Sequence, residues 1–173
     1  GIPWRTIPGV GEKGAYFTRG SGHNKYGAYT EDSAEYQDVM ERLSRKFRAA
    51  AGMVPRGVVD GDGRAPVGVV SIGSCDGAVR EALATLRKRG LAMDYLRVRG
   101  FPFGAEVEEF LAGHETLFVV EQNRDAQLKS LLTLETAVEK RKLNSILYYS
   151  GLPMSADCIV AGVDSALAAG AAS

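Results

Sequence analysis

The chain has 173 residues, 45% of them hydrophobic and 24% charged, with 21 Lys and Arg against 21 Asp and Glu. That balance supplies no general attraction to nucleic acid or to an acidic membrane, and the length suits one domain with an extension. No apolar run approaches the roughly 20 residues needed to cross a bilayer and no leader pattern is read, so a cytoplasmic protein with neither membrane nor nucleic-acid partners is expected.

Gly1 stands where Met is usual, and Ile2-Pro-Trp-Arg-Thr-Ile-Pro8 reads as a mid-protein loop. A fragment, a processed product and an incompletely resolved chain all fit this start. Residues 1–30 are rich in Gly, Pro and Tyr without sustained periodicity, which predicts irregular loop. Asp32 followed by Glu35 is a capping-box arrangement that satisfies free amides at a helix start. Tyr36, Met40, Leu43 and Phe47 then recur on one face of a helix running to about Ala50. Gly52 to Pro66 reads as a linker. Within it, Asp60-Gly-Asp-Gly63 lacks the downstream Glu of a calcium loop and reads as a plain turn.

From Val67 onward one unit repeats: an apolar strand, a short turn, an amphipathic helix. Val67–Ile72 leads through Gly73-Ser-Cys-Asp-Gly77 into a helix from Ala78 to Arg89, with Val79, Leu83 and Leu86 inward and Gly90 as its stop. Leu91–Val98 leads through Phe101-Pro-Phe-Gly104 to Glu106–Ala112. Thr116–Val120 leads through Glu121-Gln-Asn123 to a long helix, with Leu128, Leu131, Leu132 and Val138 buried and Lys140-Arg-Lys142 at its cation-favouring end. Leu143–Tyr149 leads through Gly151-Leu-Pro153 to a last helix from about Ser155, buried along Ile159, Val163 and Leu167. This alternation predicts an α/β fold: a three-layer sandwich around a mostly parallel sheet of about five strands. The expected division is a loop-and-helix extension with linker over 1–65 and the α/β domain over 66–173.

The chemistry-bearing residues form no complete catalytic set. Ser74, in a loop between strand and helix, is either a plain helix cap or an anion contact made with free helix amides. The loop is neither a Walker sequence nor a dinucleotide fingerprint. Cys75 has no histidine near it in sequence and reads as a small buried residue. The loop Thr18-Arg-Gly-Ser-Gly-His-Asn-Lys-Tyr-Gly27 could clamp a phosphate or carboxylate, with Arg19 bidentate and His23 as donor. A polar loop packed against another subunit fits it equally. His114 reads as a turn residue, and Phe101-Pro-Phe103 as a core-facing turn. Glu121 ends a strand at the carboxyl edge, where open α/β sheets bind ligands, or else bonds neighbouring loop amides. Cys75 and Cys158 make no metal-ligand spacing, and two cysteines cannot ligate a four-thiolate cluster.

Four segments carry a family resemblance: Tyr16-Phe-Thr-Arg-Gly-Ser-Gly-His-Asn-Lys-Tyr-Gly-Ala-Tyr-Thr-Glu-Asp32, Ser71-Ile-Gly-Ser-Cys-Asp-Gly-Ala-Val-Arg-Glu-Ala82, Gly100-Phe-Pro-Phe103 and Val119-Val-Glu-Gln-Asn-Arg-Asp-Ala-Gln-Leu128. In order and spacing the chain resembles the carboxyl-terminal part of the alpha subunit of 2-oxoacid:ferredoxin oxidoreductases, closest to the 2-oxoglutarate type. The resemblance implies a transketolase C-terminal-like domain with one antiparallel edge strand. It also implies a parent reaction: oxidative decarboxylation of a 2-oxoacid, acyl transfer to coenzyme A, and electron transfer to ferredoxin. Thiamine diphosphate, Mg and an iron–sulfur cluster would sit in the complete complex, held by a beta subunit. None is expected on this chain alone, which would be structural, inactive by itself, and partnered by the beta subunit and the other alpha-subunit domains. Arg19, His23 and Ser74 would be its contacts to coenzyme A or another anion; no catalytic or metal-binding residue is carried over. The alternative is a free-standing flavodoxin-like module that binds a small anion at Gly73–Gly77 or regulates a partner.

Overall fold

Asp32 opens the first helix as the capping pattern requires: its carboxylate accepts from the Glu35 amide at 2.8 Å, satisfying one of the free donors at a helix start. The computed structural model describes residues 7–14 and 20–170. They fall in two compact units, which meet in sequence between Met53 and Val54. In the first unit, helix α1 (Ser33–Ala50) buries Val39. Tyr36, Met40 and Phe47 share a face but stay 50%, 48% and 60% exposed, so this stripe is not the core face that its spacing suggests.

The second unit is built on a five-stranded sheet in the order β1-β3-β2-β4-β5. Its strands are β1 (Val58–Asp60), β2 (Val67–Ile72), β3 (Met93–Val98), β4 (Thr116–Glu121) and β5 (Leu143–Leu147). Strands β2 to β5 run parallel, and β1 pairs antiparallel with β3 at one edge. The antiparallel edge is the one the resemblance implied. The residue pattern missed it, because β1 has only three residues, in the stretch read as linker, and shows no alternation.

Four helices cover the sheet: α2 (Asp76–Lys88), α3 (Ala105–Gly113), α4 (Gln127–Glu135) and α5 (Ala156–Gly170). The two-residue period of each strand splits its side chains between faces. Val69, Tyr95, Phe118, Val120 and Ile146 pack with Val79, Leu83 and Leu86 of α2 and with Ile159 and Val163 of α5. Val70, Leu96, Leu117, Val119 and Leu143 pack with Val107, Phe110 and Leu111 of α3 and with Leu128 and Leu132 of α4. Burial on both faces is why these strands read as continuous apolar runs. Each large aliphatic side chain so buried contributes about 1.5–3 kcal/mol.

Helix α2 stops where Gly90 takes φ +86°, and the Leu91 amide reaches back to the Leu86 carbonyl at 3.1 Å, a left-handed C-cap that glycine allows without strain. The fourth helix is shorter than its leucine spacing suggests. Thr136 leaves helical geometry at φ −132°, ψ 168°, and the hydroxyls of Thr133 and Thr136 bond the carbonyls of Lys129 and Leu132 at 2.8 and 2.6 Å. Lys140–Lys142 is therefore a separate 3-10 turn before β5, so the helix dipole does not account for that basic cluster. Lys142 Nζ instead donates to the His114 carbonyl at 3.0 Å. In α5 the buried stripe covers Ile159 and Val163 but not Leu167, which is 38% exposed. Phe103 packs against the second core while Phe101 is exposed, so only half of that aromatic turn faces inward. His114 is not a turn residue at all: it is buried beside Asp94.

Candidate functional site at the switch point of the sheet

After β2 the chain crosses to β3 on one side; after β3 it returns past β2 to β4 on the other. The connections leaving β2 and β4 thus part to opposite faces and open a crevice at their carboxyl ends, where open α/β sheets receive ligands. Gly73 turns out of β2 at φ +70°, a left-handed backbone that only glycine takes freely, and starts the 3-10 turn Gly73–Cys75. Across the crevice stands Gln122, directly after β4.

Ser74 is not a helix cap: no side-chain cap bond is made at this helix start. Its Oγ donates to Gln122 Oε1 at 2.7 Å, and Gln122 Nε2 donates to the Leu152 carbonyl at 3.4 Å. These bonds tie the ends of β2, β4 and β5 into the wall of a cavity of about 400 Å³, lined also by Tyr148, Tyr149 and Pro153. Among the described lining residues there is no Lys or Arg. The walls offer hydroxyls, an amide and tyrosine rings, which suits neutral polar recognition better than charge neutralisation.

Neighbouring groups are held to structural tasks. Cys75 is buried at 2% exposure, and burial pushes its thiol up, the nearby Glu121 charge adding to this against the bond from the Gln122 backbone. It is therefore no activated nucleophile. Of the two readings of Glu121, the structure shows the amide partner. Its carboxylate accepts from the Leu128 and Lys129 amides at 2.6 and 3.0 Å and from Asn123 Nδ2 at 2.7 Å. It caps α4 from the end of the preceding strand, beside Ala126 in the left-handed region at φ 50°.

From β2 and β3 to the start of α2 runs a polar chain that the sequence reading missed. Ser71 Oγ and Tyr95 Oη are 2.7 Å apart, and Tyr95 Oη donates to Asp76 Oδ1 at 3.0 Å. Asp76 also meets Arg80 at 3.1 Å and Arg97 at 3.4 Å. Burial above all pushes the Tyr95 hydroxyl up to about 12, the bond to Ser71 opposing and the Asp76 carboxylate adding. The advance signal was polar Ser71 inside the otherwise apolar β2 and Arg97 within β3. A larger cavity of about 700 Å³ lies at the opposite, amino ends of β2 and β3. Its Arg87 is already held by Asp60 at 3.3 Å and by the Met93 carbonyl at 3.0 Å, so the switch-point crevice is the better site.

In the first unit, His23 Nδ1 donates to the Asn24 carbonyl at 2.9 Å, and His23 forms an isolated antiparallel bridge with Tyr29. Asn24 Oδ1 accepts from the Tyr26 and Ala28 amides at 3.0 and 3.2 Å, closing a turn through Gly27 at φ +82°. Arg19 lies outside the described residues. His23 and Ser74 belong to different compact units, and Ser74 lines the crevice within the second. Among the described residues no three His, Cys, Asp or Glu side chains stand together as a metal-ligand set, and no helix is long and apolar enough to cross a membrane.

No family model matches the chain. Over 137 residues it is 36% identical to the 2-oxoacid:ferredoxin oxidoreductase 2 subunit alpha of Aeropyrum pernix, an alignment covering 76% of this chain and 21% of the relative. The chain is homologous to part of that alpha subunit. It spans about a fifth of such a relative's length. A chain of the 2-oxoglutarate:ferredoxin oxidoreductase from Magnetococcus marinus, solved with 2-oxoglutarate, coenzyme A and succinyl-CoA bound, superposes over 92% of this chain and 28% of its own, with TM-score 0.76 and 26% identity. A split-gene transketolase, an inactive β4 tetramer, covers 65% of this chain and 41% of its own at TM-score 0.51 and 21% identity, a likeness of fold alone. The α/β sandwich of this alpha-subunit homologue is thus of the transketolase C-terminal type.

Proposed function

We propose that this chain serves as a carboxyl-terminal supporting lobe of the alpha subunit in a thiamine diphosphate-dependent 2-oxoacid:ferredoxin oxidoreductase acting on 2-oxoglutarate. The observation that carries the reading is the superposition, over 92% of the chain at TM-score 0.76, on an oxidoreductase solved with 2-oxoglutarate, coenzyme A and succinyl-CoA. The groups that do the chemistry do not fit this chain. Two cysteines, one of them buried, cannot furnish a four-thiolate cluster, and the described carboxylates converge on no magnesium set. No reaction step is therefore assigned to these residues. Thiamine diphosphate, Mg and the cluster belong, in this reading, to a cytoplasmic complex with a beta subunit, the remaining alpha-subunit domains, and ferredoxin as acceptor.

The chain's own part is packing and contact. Ser74 and Gln122 would offer a neutral polar contact at the crevice, while Arg19 and His23 would meet an anionic group of coenzyme A or of the substrate. The test is to express the chain with its thiamine-binding partner and the remaining alpha-subunit domains, and to follow viologen reduction that requires 2-oxoglutarate and coenzyme A. Reduction by the assembled complex and none by the chain alone is expected. Turnover by the chain alone, or partner-free binding of a small anion at Ser74 with no turnover by the complex, would overturn the assignment, the second in favour of a free-standing module.

A further inference from the structure

Strand β5 ends the sheet at the edge opposite β1, and among the described residues no strand lies beyond it. Its register against β4 and the 3.0 Å bond from the Tyr148 amide to the Glu121 carbonyl fix which backbone groups face inward. Asn144, Ile146 and Tyr148 turn their amides toward β4; by the two-residue period, Ser145 and Leu147 turn theirs outward. Among the described residues none bonds those two amides or the outward carbonyls of Leu143, Ser145 and Leu147. Such an edge is a template for another strand unless it is short, bulged or charged. The opposite edge is blunted by length, since β1 has three residues. Strand β5, Leu-Asn-Ser-Ile-Leu, carries no charge and no proline.

Beside this edge, on the face that α4 covers, lies a groove of about 400 Å³. Ala126, Thr133 and the 79% exposed Leu134 give it an apolar wall facing Ser145, and Lys129 and Lys140 complete the lining. The Lys129 amide is held by Glu121, the last residue of β4, so this cation stands at the carboxyl end of the groove. Lys140, in the turn before Leu143, stands at the amino end. Neither ammonium has a bonding partner among the described residues, whereas Arg141 is held by Glu139 at 2.7 Å and Lys142 by the His114 carbonyl at 3.0 Å. We infer that the β5 edge and this groove dock an extended acidic segment of another polypeptide, added to the sheet as a further strand. Its main chain pairs with the outward groups of Ser145 and Leu147, and every second side chain points into the groove. Two carboxylates four residues apart stand about 13 Å from each other in a strand, the length of β5 itself. They meet the two lysines, with one apolar side chain between them against Leu134. A second copy of β5 fits less well: laid antiparallel, it would set the Lys129 end of one groove beside the Lys140 end of the other, cation against cation.

Nuclear magnetic resonance of the full chain tests this with a short capped peptide that alternates Thr with Asp, Val and Asp in turn, and with a counterpart carrying Lys for Asp. The acidic peptide is expected to slow hydrogen exchange at the Ser145 and Leu147 amides and to leave Ile146, already bonded to β4, unchanged. The Lys counterpart should bind at least about tenfold more weakly, and Lys129→Glu with Lys140→Glu should reverse that preference. Ser145→Pro removes one outward donor and spares the ladder to β4. It should keep the far-UV circular dichroism of the wild type and weaken the acidic peptide at least about threefold. Unchanged exchange at both amides, equal binding of the two peptides, or binding indifferent to Ser145→Pro would each overturn the proposal. So would a chain that sediments as a dimer which Ser145→Pro separates, since the edge would then belong to a second copy.

Discussion

His114 and Asp94 meet inside the sheet unit, Nε2 of the ring 3.2 Å from Asp94 Oδ2, with the two residues 2% and 4% exposed. The other ring nitrogen donates to the Phe110 carbonyl at 2.6 Å, and the ring lies against Phe110 at a centroid distance of 4.2 Å. The ring is thus held at both nitrogens, by a backbone carbonyl on one side and by a buried carboxyl group on the other. Removing one partner of such a pair leaves a buried group without its bond. Asp94→Ala and His114→Ala are each expected to lower the unfolding free energy by about 3–5 kcal/mol. The double variant should lose less than the sum of the two. Urea unfolding of all three variants measures this, and strict additivity would show that the two groups do not act as a pair.

Two glycines make room for that pair. A Cβ on Gly61 would lie 2.0 Å from Asp94 Oδ1 at a backbone φ of +139°, and one on Gly68 would lie 2.8 Å from Phe110 Cε1. Gly61→Ala is expected to destabilise by at least about 2 kcal/mol, since strain and overlap act together. Gly68→Ala should do so through overlap alone. A change in urea midpoint below about 0.5 kcal/mol equivalent for Gly61→Ala would mean that the turn after β1 yields easily.

Glu121 holds the first turn of α4 by accepting the Leu128 and Lys129 amides. Glu121→Ala leaves two donors and Asn123 without their acceptor, an expected loss of about 2–4 kcal/mol from charge-assisted bonds. Hydrogen exchange at the Leu128 and Lys129 amides should accelerate more than at the Leu83 amide in α2. Uniform acceleration across both helices would assign the residue to global stability instead of to the cap.

Tyr95 makes stability depend on alkaline pH. Its folded-state hydroxyl is pushed up to about 12, chiefly by burial, against about 10 in the unfolded chain. The contribution is thus fully present below pH 10 and is lost as pH rises toward 12, because the unfolded state gives up its proton first. The size is of order 2–3 kcal/mol. Unfolding free energy followed across this range should fall more steeply for the wild type than for Tyr95→Phe. Equal slopes would place the effect on other tyrosines.

The alternating strands and helices were readable because the sheet is buried on both faces: Val69-Val70 and Leu117–Val120 are apolar whichever way they point. Asp32 and Gly90 were readable because capping is settled within a few residues. Polar groups resisted such reading, since their partners lie far along the chain. Ser74 bonds Gln122, Asp94 bonds His114, and Ser71 bonds Tyr95. Glu121 presented two chemically reasonable partners, and only the path of the loop to Leu128 chose between them.

The sequence by itself determined the class of fold and the family of relatives, because both rest on local periodicity and on short ordered motifs. Tertiary structure alone decided where β1 pairs, how short α4 is, and which polar side chains face one another across the crevice between β2 and β4. Those outcomes depend on strand order, and order is set by how whole layers bury their surfaces together.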